Sequence, residues 1–311
     1  ISPSEVARRY HRLISTSDEP EVRIDALNRL SNIRDRSGSD VGLSASEEEQ
    51  VYSEAISSYE SILERGSYGG RLDELLYQMA KAHALTGQQD ASIQRLKQLV
   101  GLYPKSPLVP EARFRLAESA FAAGRYTEAE TGYLHLVNSD AGGELGIKAR
   151  YMLGWSQFKQ GLSAWSRAAA TFIRVLDEFL PSAQSLGSVS DSSVDTIDDT
   201  FRVLALMAAR NSGTDTLIAW LDGSRPHHWE HLLFDRLADY YAVKGETIAS
   251  VAANQAFIDY SPSHRAVPAF RLQIVDVWQA AGDPEQVRNA RAEFVASYSQ
   301  DSAYATLTGE Q

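Results

Sequence analysis

The side chains with the most potential for chemistry are histidines. His227, His228 and His231 fall within one short stretch, with Glu230 among them. His227 and His231 are four apart, so a helix would set both on one face, a common spacing for metal ligands. The metalloprotease helix, however, needs the order His-Glu-x-x-His, whereas this stretch reads His-His-Trp-Glu-His, and no third ligand is evident. The segment after Pro226 therefore reads as a polar helix start; a metal-binding protein or hydrolase using His227, His228 and His231 is the alternative. Asp191, Asp195, Asp198 and Asp199 raise the question of calcium. They lack the alternating oxygen ligands, central Gly and closing Glu of a calcium loop, and helix capping with solvation accounts for them. No phosphate loop, dinucleotide fingerprint or nucleophile elbow occurs. With no cysteine in the chain, disulfides, thiolate metal sites and thiol catalysis are excluded. The expectation is no catalytic residue, no metal and no cofactor.

Composition narrows the class further. The chain has 311 residues, 43% of them hydrophobic and 23% charged, which is ordinary for a globular protein. Thirty basic residues against 41 acidic leave a net charge of −11 without any Lys/Arg-rich cluster, so no nucleic-acid partner is expected. The apolar, charge-free run at 203–209 is far shorter than the ~20 residues a membrane helix needs, so the chain is not expected to span a bilayer. It begins at Ile1 rather than Met and reads as a piece of something longer.

The elements that would position any site come from a repeat. Gly87, Gly124 and Gly161 lie 37 residues apart, and so do Gly245 and Gly282. Seven residues before each stands Ala80, Ala117, Gly154, Ala238 or Val275, and eight before stands an apolar residue. Leu76, Met79, Ala80 and His83 follow helical spacing, as do Phe234, Leu237, Ala238 and Tyr241. Each Gly then supplies a left-handed turn, and a second helix follows, with Ala129, Tyr133, Leu136 and Val137 as one apolar stripe. Pro104 and Pro262 close two of the units. One helical hairpin cannot bury its own apolar face, so neighbours must stack.

This pattern resembles the tetratricopeptide repeat, over residues 71–181 and 232–300. Its small residue in the first helix, turn Gly, Ala early in the second helix (Ala129, with Ser92 and Ser250 as near substitutes) and closing Pro are present; Val287 departs from it, and two extra residues follow Gly161. The resemblance implies an all-α, right-handed solenoid of helical hairpins. Residues 1–181 are expected to form an N-terminal array whose 21–65 portion is a degenerate hairpin with a polar loop at 37–45. Residues 182–200, with six Ser, four Asp and no basic residue, read as a mobile insertion or hinge, and 201–311 as a C-terminal array.

Ten residues before three of the turn glycines stand Tyr77, Phe114 and Tyr151, a place that faces the concave groove in tetratricopeptide arrays. Phe121, Trp155 and Phe158 lie on nearby turns, and Arg115 and Lys148 flank the ladder. These eight residues are the candidate partner-binding groove, for an extended peptide or a helix. The alternative is that the rings pack against neighbouring hairpins. Tyr103-Pro104-Lys105-Ser106-Pro107, Pro110-Glu111-Ala112-Arg113 and the 153–161 segment are similar in style to repeats of bacterial envelope proteins: the periplasmic Tol–Pal coordinating protein, the β-barrel assembly lipoprotein, and large proteins linked to TolQ/ExbB-type motors. The resemblance implies a non-enzymatic, periplasmic scaffold or adaptor with a protein partner from the cell envelope, outer-membrane association through sequence before Ile1 being one form of it. An exopolysaccharide-export or gliding-machinery scaffold is the alternative.

Overall fold

A computed structural model describes residues 3–37, 44–65, 71–139, 143–182, 190–222 and 226–298. Among them all regular structure is helical: fifteen α-helices, one 3-10 turn and no strand. The chain divides into two compact units, Ile1–Ala149 and Arg150–Gln311. This division falls inside a helix, α8 (Glu144–Lys159), and not in the Ser/Asp-rich segment where the sequence suggested a hinge.

The first unit opens with α1 (Pro3–Thr16), α2 (Pro20–Ser37) and α3 (Ala45–Arg65). Residues 21–65 were expected to form one hairpin, but α2 packs on both α1 and α3. The reason is the width of its apolar stripe: Ile24, Ala26, Leu27 and Leu30 are all buried, together with Ala7 and Ile14 of α1 and Val51, Ala55, Tyr59 and Ile62 of α3. Most of the polar loop expected at 37–45, residues 38–43, lies outside the described residues. Two hairpins follow, α4 (Leu72–Leu85) with α5 (Gln89–Leu102) and α6 (Val109–Ala122) with α7 (Tyr126–Asn138), and α5 packs on α6.

The five turn glycines behave as expected, with φ between +72° and +95°, a region open to Gly without a Cβ penalty. In four of them the next residue's N–H reaches back five positions to satisfy a carbonyl at the helix end. The pairs are Gln88 to His83 (2.8 Å), Arg125 to Ala120 (2.9 Å), Glu246 to Tyr241 (2.9 Å) and Asp283 to Trp278 (3.2 Å). Gly161 leads instead into the 3-10 turn Leu162–Ala164, which accommodates the two extra residues. The small residues set how closely helices approach. A Cβ on Gly132 of α7 would stand 2.9 Å from that of Ala117 in α6, and one on Gly154 would stand 2.7 Å from the Phe172 ring. At the corresponding place in the first hairpin, the buried Ser92 donates to the Ala80 carbonyl at 2.7 Å, so a hydroxyl replaces the repeat's usual Ala without leaving a polar atom unsatisfied.

The second unit comprises the C-terminal part of α8, then α9 (Trp165–Phe179), α10 (Asp191–Ala209), α11 (Thr214–Asp222), α12 (Glu230–Val243), α13 (Thr247–Tyr260), α14 (Val267–Ala281) and α15 (Pro284–Ser297). The segment 182–200 was expected to be a loop, but it is helical from Asp191 onward, and its residues 183–189 lie outside the described residues. Ile197, Thr200, Phe201 and Leu204 recur at helical spacing and are buried. On the opposite side Arg202 pairs with Asp198 and Asp199, and Asp198 also takes Arg236 of α12. The acidic residues that suggested a solvated loop are therefore the polar face of an amphipathic helix.

Candidate functional site

The candidate groove residues fall on both units. In the first unit, Tyr77 of α4 reaches α6 of the next hairpin. Its hydroxyl donates to Glu111 Oε1 (3.3 Å) and accepts from Arg115 Nε (3.0 Å), while Arg115 also pairs with Glu111 (3.1 Å). The Lys81 ammonium lies 5.6 Å from the centre of the Tyr77 ring, and the Arg115 guanidinium 5.8 Å, within cation–π range. The ring is only 8% exposed, and burial pushes the Tyr77 hydroxyl above its ordinary pKa. What faces outward is thus a polar and cationic rim over a mostly buried ring.

Phe114 is also 8% exposed and meets Tyr133 of α7 edge-on at 5.5 Å, so its ring is committed to the α6–α7 hairpin. Phe121 is half-buried beside Tyr126 (5.4 Å). Lys148, exposed on α8, pairs with Glu144 at 2.6 Å. Beside the Tyr77 bridge opens a cleft of about 550 Å³, whose mouth carries Lys81, Arg115 and Glu118 and whose wall includes Ala84, Ser119 and Ala122. The Glu118 carboxyl is pushed above its usual range by burial and by Glu111, more than Arg115 and Lys148 pull it down. Sequence reasoning did not find Glu111 and Glu118, or the part Lys81 plays beside Tyr77. The signal was present: Lys81 and Glu118 stand four residues after Tyr77 and Phe114, on the same helix face.

In the second unit Tyr151, Trp155 and Phe158 form one aromatic cluster with Trp165 and Phe172 of α9. Trp155 stands edge-on to Tyr151 (6.2 Å), Phe158 (5.5 Å) and Phe172 (5.7 Å), and Phe158 stacks on Trp165 at 5.4 Å. The Trp165 indole N–H donates to the Phe158 carbonyl at 3.2 Å. All three candidate rings are partly exposed. The Tyr151 hydroxyl titrates above its ordinary value, through burial and the neighbouring Asp199 carboxylate, much as Tyr77 stands beside Glu111. At the same repeat place Asp235 accepts from Gln273 of the next hairpin at 2.5 Å. At this repeat place Tyr77 and Asp235 bridge to the first helix of the next hairpin, whereas Phe114 packs within its own.

The histidines do not converge. His227 is buried, its Nδ1 lies 2.6 Å from Asp177 Oδ1, and the same oxygen accepts from Trp229 Nε1 at 3.1 Å. The His227 ring stacks on Trp229 at 4.7 Å. His231 points elsewhere, to His264 (5.0 Å) and Phe257 (6.5 Å). Among the described residues no group of three or more His, Asp or Glu side chains is placed to hold a metal ion.

Residues 77–141, which carry the Tyr77 bridge and the cleft, match the family model of the tetratricopeptide repeat. This stretch is tetratricopeptide-like. Solved structures similar to it include the C-terminal part of a TPR repeat-containing protein from Cytophaga hutchinsonii, at 14% identity over 85% of this chain and 98% of that one, with a TM-score of 0.39. The apo form of RapI is similar at 12% identity over 94% of this chain and 84% of that one, with a TM-score of 0.46. No curated relative matches. Among the described residues no helix is long and apolar enough to cross a membrane.

Proposed function

We propose that this protein is a non-enzymatic scaffold or adaptor of a bacterial cell-envelope complex, acting in the periplasm and holding a peptide or helix of an envelope partner on its first-helix faces. The observation that carries the reading is the tetratricopeptide match over 77–141, since hairpins of this kind serve as interaction scaffolds. In the first unit a guest lies over Tyr77, Arg115, Phe121 and Lys148, with Phe114 supporting from behind; the second unit offers Tyr151, Trp155 and Phe158 as a face of its own. The basic Arg115 and Lys148 in an acidic chain favour an acidic or C-terminal segment of the partner. The absence of cysteine and the envelope-style repeats support a periplasmic home.

The test is affinity capture from native bacterial envelope with the wild-type chain and with Arg115→Glu as baits. A specific envelope protein retained by the first and lost from the second supports the reading. Equal retention by both, or recovery of the protein only from the cytoplasmic fraction of its source cell, overturns it.

A further inference from the structure

The first unit carries a second recess, on the side of its second helices. It holds about 410 Å³ and lies between α5 and α7, over the back of α6, and a recess of that size is ligand-pocket scale (about 300–1,000 Å³). Its floor is apolar and made by small side chains: Ala117, Ala120 and Gly132, bordered by Ile93 and Leu116. The recess exists because of the repeat itself. Gly132 has no side chain because Ala117 stands where a Cβ would reach, and the same requirement strips the floor of bulk.

Its rim is basic in a chain of net charge −11. Lys97, Arg113, Arg125 and His135 stand around the opening against one carboxylate, Glu128. Glu128 is already engaged by Arg125 at 2.7 Å. Lys97 and Arg113 have no carboxylate partner among the described residues, and Arg113 Nε is buried with no hydrogen-bond partner there. Arg113 Nη1 instead donates to the ring of His135, a contact of 2.8 Å to Nδ1. The guanidinium therefore meets a histidine ring where a carboxylate would bind it far better.

We infer that this slot between α5 and α7 is a second docking surface, for an acidic amphipathic segment of a protein partner that inserts an aliphatic side chain onto the Ala117–Gly132 floor and sets carboxylates against Lys97 and Arg113. Charge complementarity fixes the occupant: an uncompensated cationic rim in an otherwise acidic molecule steers carboxylates toward it, and the apolar floor supplies the anchor site on which affinity concentrates. The recess shares Ile93, Ser119 and Arg125 with the cleft beside Tyr77 but extends to Lys97, Arg113, Gly132 and His135, which that cleft does not reach.

The experiment uses the full chain and three probes: a short peptide of Glu, Leu and Ala, its Lys-for-Glu counterpart, and a single-stranded RNA. Backbone amide shifts are followed by NMR during titration. The acidic peptide is expected to move Ile93, Leu116, Ala117, Gly132 and His135, and the basic peptide to leave them still. Lys97→Glu combined with Arg113→Gln is expected to weaken the acidic peptide at least about tenfold, and Thr131→Trp, at a residue that lines this recess and not the cleft beside Tyr77, to do the same by a route that leaves the charge intact. Far-ultraviolet dichroism of each variant confirms that the fold is kept. Binding of the basic peptide or the RNA at these residues, shifts confined to the Tyr77–Arg115 face, or unchanged affinity in both variants would overturn the proposal.

Discussion

Replacing His231 should change how the stability of the second unit depends on pH, and the size of the effect follows from its surroundings. The ring sits against Phe257 and His264, its Nδ1 is buried without a partner among the described residues, and burial, helped by His264 and Arg265, lowers its pKa to about 4. An unfolded histidine titrates near 6.5. As pH falls from 6.5 toward 4 the unfolded chain takes up a proton that the folded chain refuses, so folding loses stability across that window. Between pH 7 and pH 5 this loss is about 2 kcal/mol from His231 alone. Urea unfolding of the wild type and of His231→Phe, followed by tryptophan fluorescence at pH 7, 6 and 5, measures it as a difference, so that titrations common to both chains cancel. The gap between the variants should move by about 1.5–2 kcal/mol in favour of His231→Phe as pH drops. Parallel curves within ~0.5 kcal/mol would show that His231 is solvated and protonates freely in the folded protein.

Other perturbations address the remaining elements. Asp177→Ala should cost about 1–3 kcal/mol, because the buried His227 and Trp229 donors would share no acceptor; thermal melts at neutral pH report it. Gly154→Ala, with Phe172 2.7 Å from the new Cβ, should destabilise by about 1–3 kcal/mol despite the better helix propensity of Ala, whereas Gln89→Ala on the exposed start of α5 should be nearly silent. Phe114→Ala should lower stability by about 3–5 kcal/mol, because the ring is packed on Tyr133; an unchanged melting temperature would place the ring at the partner surface instead.

The hairpins were legible because a steric rule wrote them. Only Gly occupies a left-handed turn without penalty, so Gly87, Gly124, Gly245 and Gly282 announced their turns, and Ala117 and Gly154 announced close helix approach. The start of α10 was missed because Ser and Asp dominate its composition, although Ile197, Phe201 and Leu204 already held helical spacing; composition was weighed over periodicity. The candidate groove was half legible. The 37-residue recurrence found Tyr77, Phe114 and Tyr151, but whether a ring faces solvent or a neighbour depends on the next helix. That is why Phe114 turned to Tyr133, and why Glu111 went unnoticed until the bridge was assembled in space.

The bond from Asp177 to His227 and Trp229 spans a stretch that contains α10 and α11, and this sets how the protein would yield under tension. Among the described residues of the first unit, hairpins α4–α5 and α6–α7 make their main helix contacts with neighbours along the chain, so pulling on the ends releases them one at a time, each hairpin of about 30 residues adding roughly 100 Å of slack. The two helices between Asp177 and Trp229 also contact beyond their chain neighbours, α11 with α9 and α10 with α12, and a single carboxylate clasps the two ends of the segment. That segment behaves as a latch: it holds until the clasp opens and then pays out roughly 180 Å at once. A scaffold strung between two anchored structures would therefore give first through the serial hairpins of α4–α7 and α12–α15, and last through the segment that Asp177 clasps.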